Sequence, residues 1–390
     1  MRITEIREVD VPLTGAISNA VVSFEHHRVS LVAVVTDVVR SGRPVVGVAF
    51  NSIGRHAQGG IMRERMIPRV LGTSPEDLLD PVSGLLDPAR VLTAAMRDEK
   101  PGGHGDRAAA ASAIELACWD ALAKIADEPA YATIGRRFGQ EPLAAGVPVY
   151  AAGGYYRAGE GVAELGAEIR SYLDAGYEAV KIKIGGASLT EDLRRLDGAV
   201  TAAGGGHRVA VDANGRFDRA TAVQYGKEMA GHDLRWYEEP VDPLDLRGTA
   251  DLAAEYPGAL ATGENLFSVP DVVNLLEFGG LRADRDILQM DAGLSYGLTE
   301  YAAMVDAMQA HGFDRRAAMP HGGHLINLHI VVGLALGGCE AYPGVFQPFG
   351  GYSDRCEVKG GLIVPSDDPG FGLEQKADLA PHIEALVGRA

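Results

Sequence analysis

Ala179-Val-Lys-Ile-Lys-Ile184 is a short apolar run that closes near Lys183, and 29 residues further on Val209-Ala-Val-Asp-Ala213 closes in the same way near Asp212. The pattern continues through Leu234-Arg-Trp-Tyr-Glu238, Leu260-Ala-Thr-Gly-Glu264, Ile287-Leu-Gln-Met-Asp291 and Ala317-Ala-Met-Pro-His321. The gaps between Lys183, Asp212, Glu238, Glu264, Asp291 and His321 are 29, 26, 26, 27 and 30 residues. That period fits one β-strand and one returning helix. With Val147-Pro-Val-Tyr-Ala151 as a first strand and Gly338-Cys-Glu-Ala-Tyr342 as an eighth, the units suffice for an α/β fold of the (β/α)8 type. In such a barrel the strand ends that carry function converge on one face, so the six residues are expected to share a pocket, and the chain is expected to be an enzyme.

Upstream of the repeat the pattern is different. Ile3 to Leu13, Val29 to Val35 and Val45 to Phe50 alternate in the manner of three strands. Two loops interrupt them, Thr14 to His27 with Asn19, and Asn51 to Gly60 with Arg55 and His56. A helix is predicted over Ala108 to Ala126. Three parts are expected: an α+β capping domain over 1–143, the barrel over 144–350, and a C-terminal segment, 351–390, that returns to complete the capping domain.

The 390 residues are 46% hydrophobic, enough for a large core, and carry a net charge of -17 from 53 acidic and 36 basic side chains. That balance argues against nucleic acid or an anionic membrane as partner. A small anionic substrate stays admissible, because surface charge is screened beyond about 8 Å and local lysines set what a pocket feels. Cys118, Cys339 and Cys356 lack metal-ligand or disulfide spacing and read as ordinary reduced residues. The N-terminus has no signal-peptide core, and Ile326 to Gly338 is too short to span a bilayer, so a soluble cytoplasmic protein is expected.

Asp212, Glu238 and Glu264 end successive strands, and three convergent carboxylates would repel unless a cation sat between them. Oxygen-only ligands suit Mg²⁺. Asn214, Glu239 and Asn265 are neighbouring supports, and sequence alone does not separate Glu238 from Glu239. Lys181 and Lys183 leave one face of their strand. Mutual repulsion and burial depress an ammonium pKa, which would make Lys183 the base and Lys181 its tuner and a contact for substrate carboxylate. Asp291 orients His321 as the acid; His324 competes for that role, although a polar helix cap explains it equally, and His329 reads as structural. Glu340, Tyr342 and Tyr155 are candidate substrate contacts. Lys100, ahead of a glycine-rich turn, is another.

With Lys181-Ile-Lys183, Asp212-Ala-Asn214, Glu238-Glu-Pro240, Gly263-Glu-Asn265, Asp291 and His321 in this order, the chain resembles the enolase superfamily, mandelate racemase subgroup. The resemblance spans nearly the whole chain. A closer resemblance, to the D-tartrate dehydratases, rests on Asn51-Ser52, Glu99-Lys-Pro-Gly-Gly-His-Gly105, Tyr150-Ala-Ala-Gly-Gly-Tyr-Tyr156, Pro320-His-Gly-Gly-His324 and Phe346-Gln-Pro-Phe-Gly-Gly351. It implies Lys183 as base, His321 with Asp291 as acid, Asp212, Glu238 and Glu264 as Mg²⁺ ligands, and Asn19, Lys100, Tyr155, Glu340 and Tyr342 as substrate contacts. It also implies a homo-oligomer that takes a small hydroxy diacid and converts D-tartrate to oxaloacetate. The chain departs from that pattern at Ile53, where an asparagine is expected, and at Pro240-Val241. Dehydration of a longer acid sugar, racemisation, and a barrel that binds metal or ligand without catalysis are the competing readings.

Overall fold

The computed structural model describes residues 1–15, 17–157 and 159–388. An antiparallel sheet opens the chain: β1 (Ile3–Pro12), β2 (Arg28–Arg40) and β3 (Arg43–Phe50), in that order. β2 runs beyond the predicted Val35, because Ser41 and Gly42, at φ of 49° and 79°, form the two-residue turn whose twist suits a hairpin, and Arg40 then pairs with Arg43. The helix Asp106–Ala126 lies across this sheet, starting two residues before its predicted origin. Its run of alanines permits close approach: a Cβ on Gly47 of β3 would stand only 1.9 Å from the Ala117 oxygen.

The second sheet holds β4 (Val147–Ala152), β5 (Val180–Lys183), β6 (Val209–Asp212), β7 (Trp236–Glu238), β8 (Leu260–Thr262) and β9 (Ile287–Leu288), each parallel to the next. β10 (Cys339–Ala341) pairs with β4 from the other side. Between β9 and β10 the predicted seventh strand is reduced to a parallel bridge, Leu288 with Ala318. Pro320 has no N–H to donate, so the ladder is carried by Met319 N–H to Leu288 O and His321 N–H to Gln289 O, at 2.9 and 3.2 Å. With helices between its strands, the arrangement is a TIM-type barrel.

Inward side chains fill the barrel: Tyr150 meets Trp236 edge to face at 4.9 Å, packed among Ala179, Ala210, Ala261 and Met319. Two large rings need small neighbours, which is why the inner layer is otherwise mostly alanine.

Glu115, buried in the helix Asp106–Ala126, accepts from the backbone N–H groups of Leu298 and Thr299 at 2.9 and 3.0 Å. It caps a barrel helix from outside and so fixes the sheet layer against the barrel. The C-terminal segment does two things. β11 (Glu357–Lys359) and β12 (Leu362–Val364) form a hairpin that pairs with the start of β4. The helix Ala380–Val387 then ends against β1, where Arg7 donates to the Leu386 and Val387 oxygens at 3.2 and 2.5 Å.

Candidate active site

Register brings the charged strand ends side by side: Lys183 pairs with Asp212, and Asp212 with Glu238. Lys183 Nζ bonds Asp212 Oδ2. Lys181 lies beneath, 1% exposed, with its ammonium 2.5 Å from Glu238, 2.8 Å from Glu340 and 3.6 Å from Asp212. Glu238 also accepts from Trp236 Nε1 and Gln289 Nε2, both at 2.8 Å. Across the ring His321 Nδ1 is 3.0 Å from Asp291 Oδ2, while Nε2 is 3.1 Å from Tyr342 OH and 3.7 Å from Glu264.

These groups surround a cavity of about 250 Å³. Lys183, His321, Glu264, Tyr155, Tyr342 and Asn19 line it, so six of the twelve residues singled out from sequence reach the cavity itself. Lys181, Asp212, Glu238 and Asp291 form its buried floor. Glu340 is buried, paired with Lys181 and accepting from Gly322 N–H at 2.9 Å. Lys100 lies on an exposed turn whose carbonyl accepts from Arg107 at 2.8 Å.

Glu239, Asn214, Asn265 and Arg55 do line the cavity. Continued strand alternation would send Glu239 away from the mouth. Its φ of 36° turns it back, and Asn214 at φ 48° makes the corresponding turn after β6. Asn265 Nδ2 holds both Glu239 oxygens at 3.1 Å and Glu264 at 3.3 Å. His324 caps the helix Leu325–Leu334 and bonds Ser52 Oγ at 3.0 Å, which leaves His321 as the imidazole on the cavity. His329 is buried between Tyr131 and Phe371.

Electrostatics departs from the expectation for the lysine. Burial is the largest influence on Lys183 and lowers its pKa, but Asp212, Tyr155 and Glu238 together more than offset burial and the neighbouring Lys181, and the ammonium form is favoured. Burial likewise opposes charge on His321, yet Glu264, Asp291 and Glu340 together raise it to about 10, so the ring is protonated at neutral pH. Asp212, buried but faced by Lys183 and Lys181, is held down to about 2. Glu239 is pushed well above the carboxylate range by burial and by the charges of Glu264 and Asp212.

Among the described residues no three His, Cys, Asp or Glu side chains stand close enough together to enclose a metal ion. The trio Asp212, Glu238 and Glu264 is not preassembled, because the two lysines draw the first two carboxylates toward themselves. The donors still suit a hard divalent cation. Asp212, Glu238, Glu239, Glu264, Glu340 and Asp291 outnumber Lys181, Lys183, His321 and Arg55, and among the described residues Glu239 pairs with no cation and the buried Asn214 Oδ1 has no hydrogen-bond partner.

A model of enolase C-terminal domain-like proteins matches residues 164–379, and the chain belongs to the enolase superfamily, in its mandelate racemase branch. The L-talarate/galactarate dehydratase of Salmonella typhimurium is 27% identical over 370 residues, which cover 93% of this chain and 86% of that protein. A structure of that dehydratase liganded with Mg and L-glucarate superimposes with a TM-score of 0.76 at 25% identity, over 94% of this chain and 87% of the other. A Streptomyces coelicolor racemase with bound magnesium shares the fold, with a TM-score of 0.78 at 22% identity over 98% of both chains. Among the described residues no helix is long and apolar enough to cross a membrane.

Proposed function

We propose that this chain is a Mg²⁺-dependent dehydratase of a small hydroxy acid, with D-tartrate, converted to oxaloacetate, as the first candidate. The observation that carries the reading is that Lys183 and His321 face one cavity from opposite sides of the barrel, each backed by its own buried carboxylate. Mg²⁺, for which Asp212 and Glu264 with Glu238 or Glu239 supply oxygen donors, would bring the positive charge that fixes the substrate carboxylate and offsets the excess of acids.

The chain's own residues do the rest. Lys183, once it has given up its proton and its hold on Asp212, takes the proton on the carbon next to the substrate carboxylate, leaving an enediolate. Lys181 keeps a positive charge beneath the developing anion. His321, protonated and oriented by Asp291, delivers its proton to the hydroxyl on the next carbon, which leaves as water. The enol that remains becomes the keto acid by proton transfer to carbon. For tartrate this sequence removes one water and ends at oxaloacetate.

The dehydratase names among the relatives support the reaction type, and the small cavity supports a short acid. The test is a panel of tartrate isomers, aldarates and aldonates incubated with purified protein and MgCl₂, scored for 2-keto acid. A keto product from any member supports dehydration. Solvent deuterium in inverted, unreacted acid, with no keto product, replaces it with racemisation; binding without turnover on every member leaves a ligand-binding barrel.

A further inference from the structure

The reaction described above leaves one cation on the cavity wall without a task. Arg55, in the loop after β3, lines the cavity. Two contacts hold its guanidinium: Nη2 donates to Asn265 Oδ1 at 3.0 Å, and the group lies 4.8 Å from the centre of the Phe267 ring. Neither partner is an acid, and among the described residues no carboxylate pairs with Arg55. A guanidinium carries five N–H donors, of which Asn265 engages one.

Its position is fixed from both sides. A Cβ on Gly54 would stand 3.8 Å from His321 Cε1, so this loop lies directly over the imidazole. The Arg55 carbonyl accepts from His27 Nε2 at 2.8 Å, and the His27 ring stacks on His56 at 4.4 Å between centres, which ties the loop Thr14–His27 to the loop Asn51–Gly60. The cavity wall also carries the apolar Val21, Val22, Phe24, Ile53 and Phe346, and Asn19, whose Oδ1 already accepts from Val21 and Val22 N–H. An acid seated with its reacting carboxylate among the floor residues would extend its far end toward the loop that carries Gly54 and Arg55 over His321.

We infer that Arg55 pairs with a second, distal carboxylate, so that the chain takes dicarboxylic sugar acids in preference to their aldonate counterparts. Planar guanidinium donors match a carboxylate with two parallel hydrogen bonds. The inference rests on the proposed reaction for the placement of the near carboxylate.

Length-matched acids test it: tartrate against threonate, and galactarate against galactonate, on wild-type, Arg55→Met and Arg55→Lys proteins with MgCl₂. Arg55→Met is expected to lower kcat/KM for the diacid by roughly 10- to 100-fold, the range of a charge-assisted pair. The aldonate value is expected to change little, and Arg55→Lys to recover part of the loss. Equal losses on diacid and aldonate, as a role confined to holding the loop would give, overturn the inference, and so does an unchanged diacid rate. Dissociation constants from calorimetry in a Lys183→Met background separate the two proposals. Diacid binding that depends on Arg55 without turnover by wild-type protein keeps this inference and removes the reaction. Turnover in which Arg55 does not discriminate does the reverse, and failure of wild-type protein to bind or turn over any diacid ends this one.

Discussion

His321 Nδ1 and Asp291 Oδ2 lie 3.0 Å apart, delivered by the seventh and sixth units of the barrel, and this contact turns Nε2 toward the cavity. The ring is thereby fixed in orientation, and its charge is supported on both nitrogens, by Asp291 on one side and Glu264 on the other. A histidine so placed is an acid at neutral pH, not a base.

Asp291→Asn removes one of the charges that hold the His321 proton. Dehydration is expected to slow by about 10²- to 10⁴-fold, the range for a positioned acid–base group. The alkaline limb of the pH–rate profile is expected to move downward from the region near 10, because the neutral amide favours imidazolium less. A rate loss with no movement of that limb would assign Asp291 a purely structural role.

Metal dependence offers a separate check. Chelation is expected to abolish turnover and added Mg²⁺ to restore it. Glu264→Gln is expected to raise the Mg²⁺ concentration for half-maximal rate by more than about tenfold, since a hard cation loses a charged oxygen. Parallel Glu238→Gln and Glu239→Gln titrations show which of those two neighbours shares the ion.

Stability at acid pH turns on buried imidazoles. Burial lowers His329 to about 3, and its Nε2 has no partner among the described residues. Because the folded value lies below the ordinary 6.5, the neutral ring's contribution is complete above that pH and is lost as pH falls from 6.5 toward 3. His324, lowered by burial to about 4, acts in the same direction. Unfolding midpoints are expected to drop across this window in wild-type protein and to drop less in His329→Asn.

Asp120 joins three parts of the chain. Its carboxylate accepts from Val48 N–H and Phe371 N–H, both at 2.7 Å, and pairs with Lys124 at 2.5 Å. Asp120→Ala orphans two buried N–H groups and leaves Lys124 only Glu374 and the Val46 carbonyl as partners, at an expected cost of about 2–4 kcal/mol. A Tm lowered by several degrees, with the remaining native activity intact below it, is the result to look for.

The periodic strand ends made most of the site legible. Lys183, Glu264 and His321 sit where a repeat of 26 to 30 residues places them, because each is fixed by its own strand and needs no knowledge of distant packing. What sequence left open was set by backbone turns and by the capping layer. Glu239 follows Glu238 by one residue, and only the left-handed turn at φ 36° brings its side chain back to the mouth. Arg55 enters through a loop whose course depends on His27 and Gly54, contacts between segments that no local pattern links. The mutual depression expected of Lys181 and Lys183 was the right interaction given too much weight, since Asp212, Glu238 and Glu340 surround the pair.

The most direct measurement compares wild-type and Lys183→Ala protein in D₂O with MgCl₂ and the acid that wild-type protein consumes, following the α-hydrogen by proton NMR. Wild-type protein is expected to form keto acid with loss of that hydrogen, and Lys183→Ala, folded by circular dichroism, to form none and to leave the α-hydrogen unexchanged. Turnover by Lys183→Ala within about tenfold of the wild-type rate would contradict the assignment of the base, and with it the mechanism built on the two faces of this cavity.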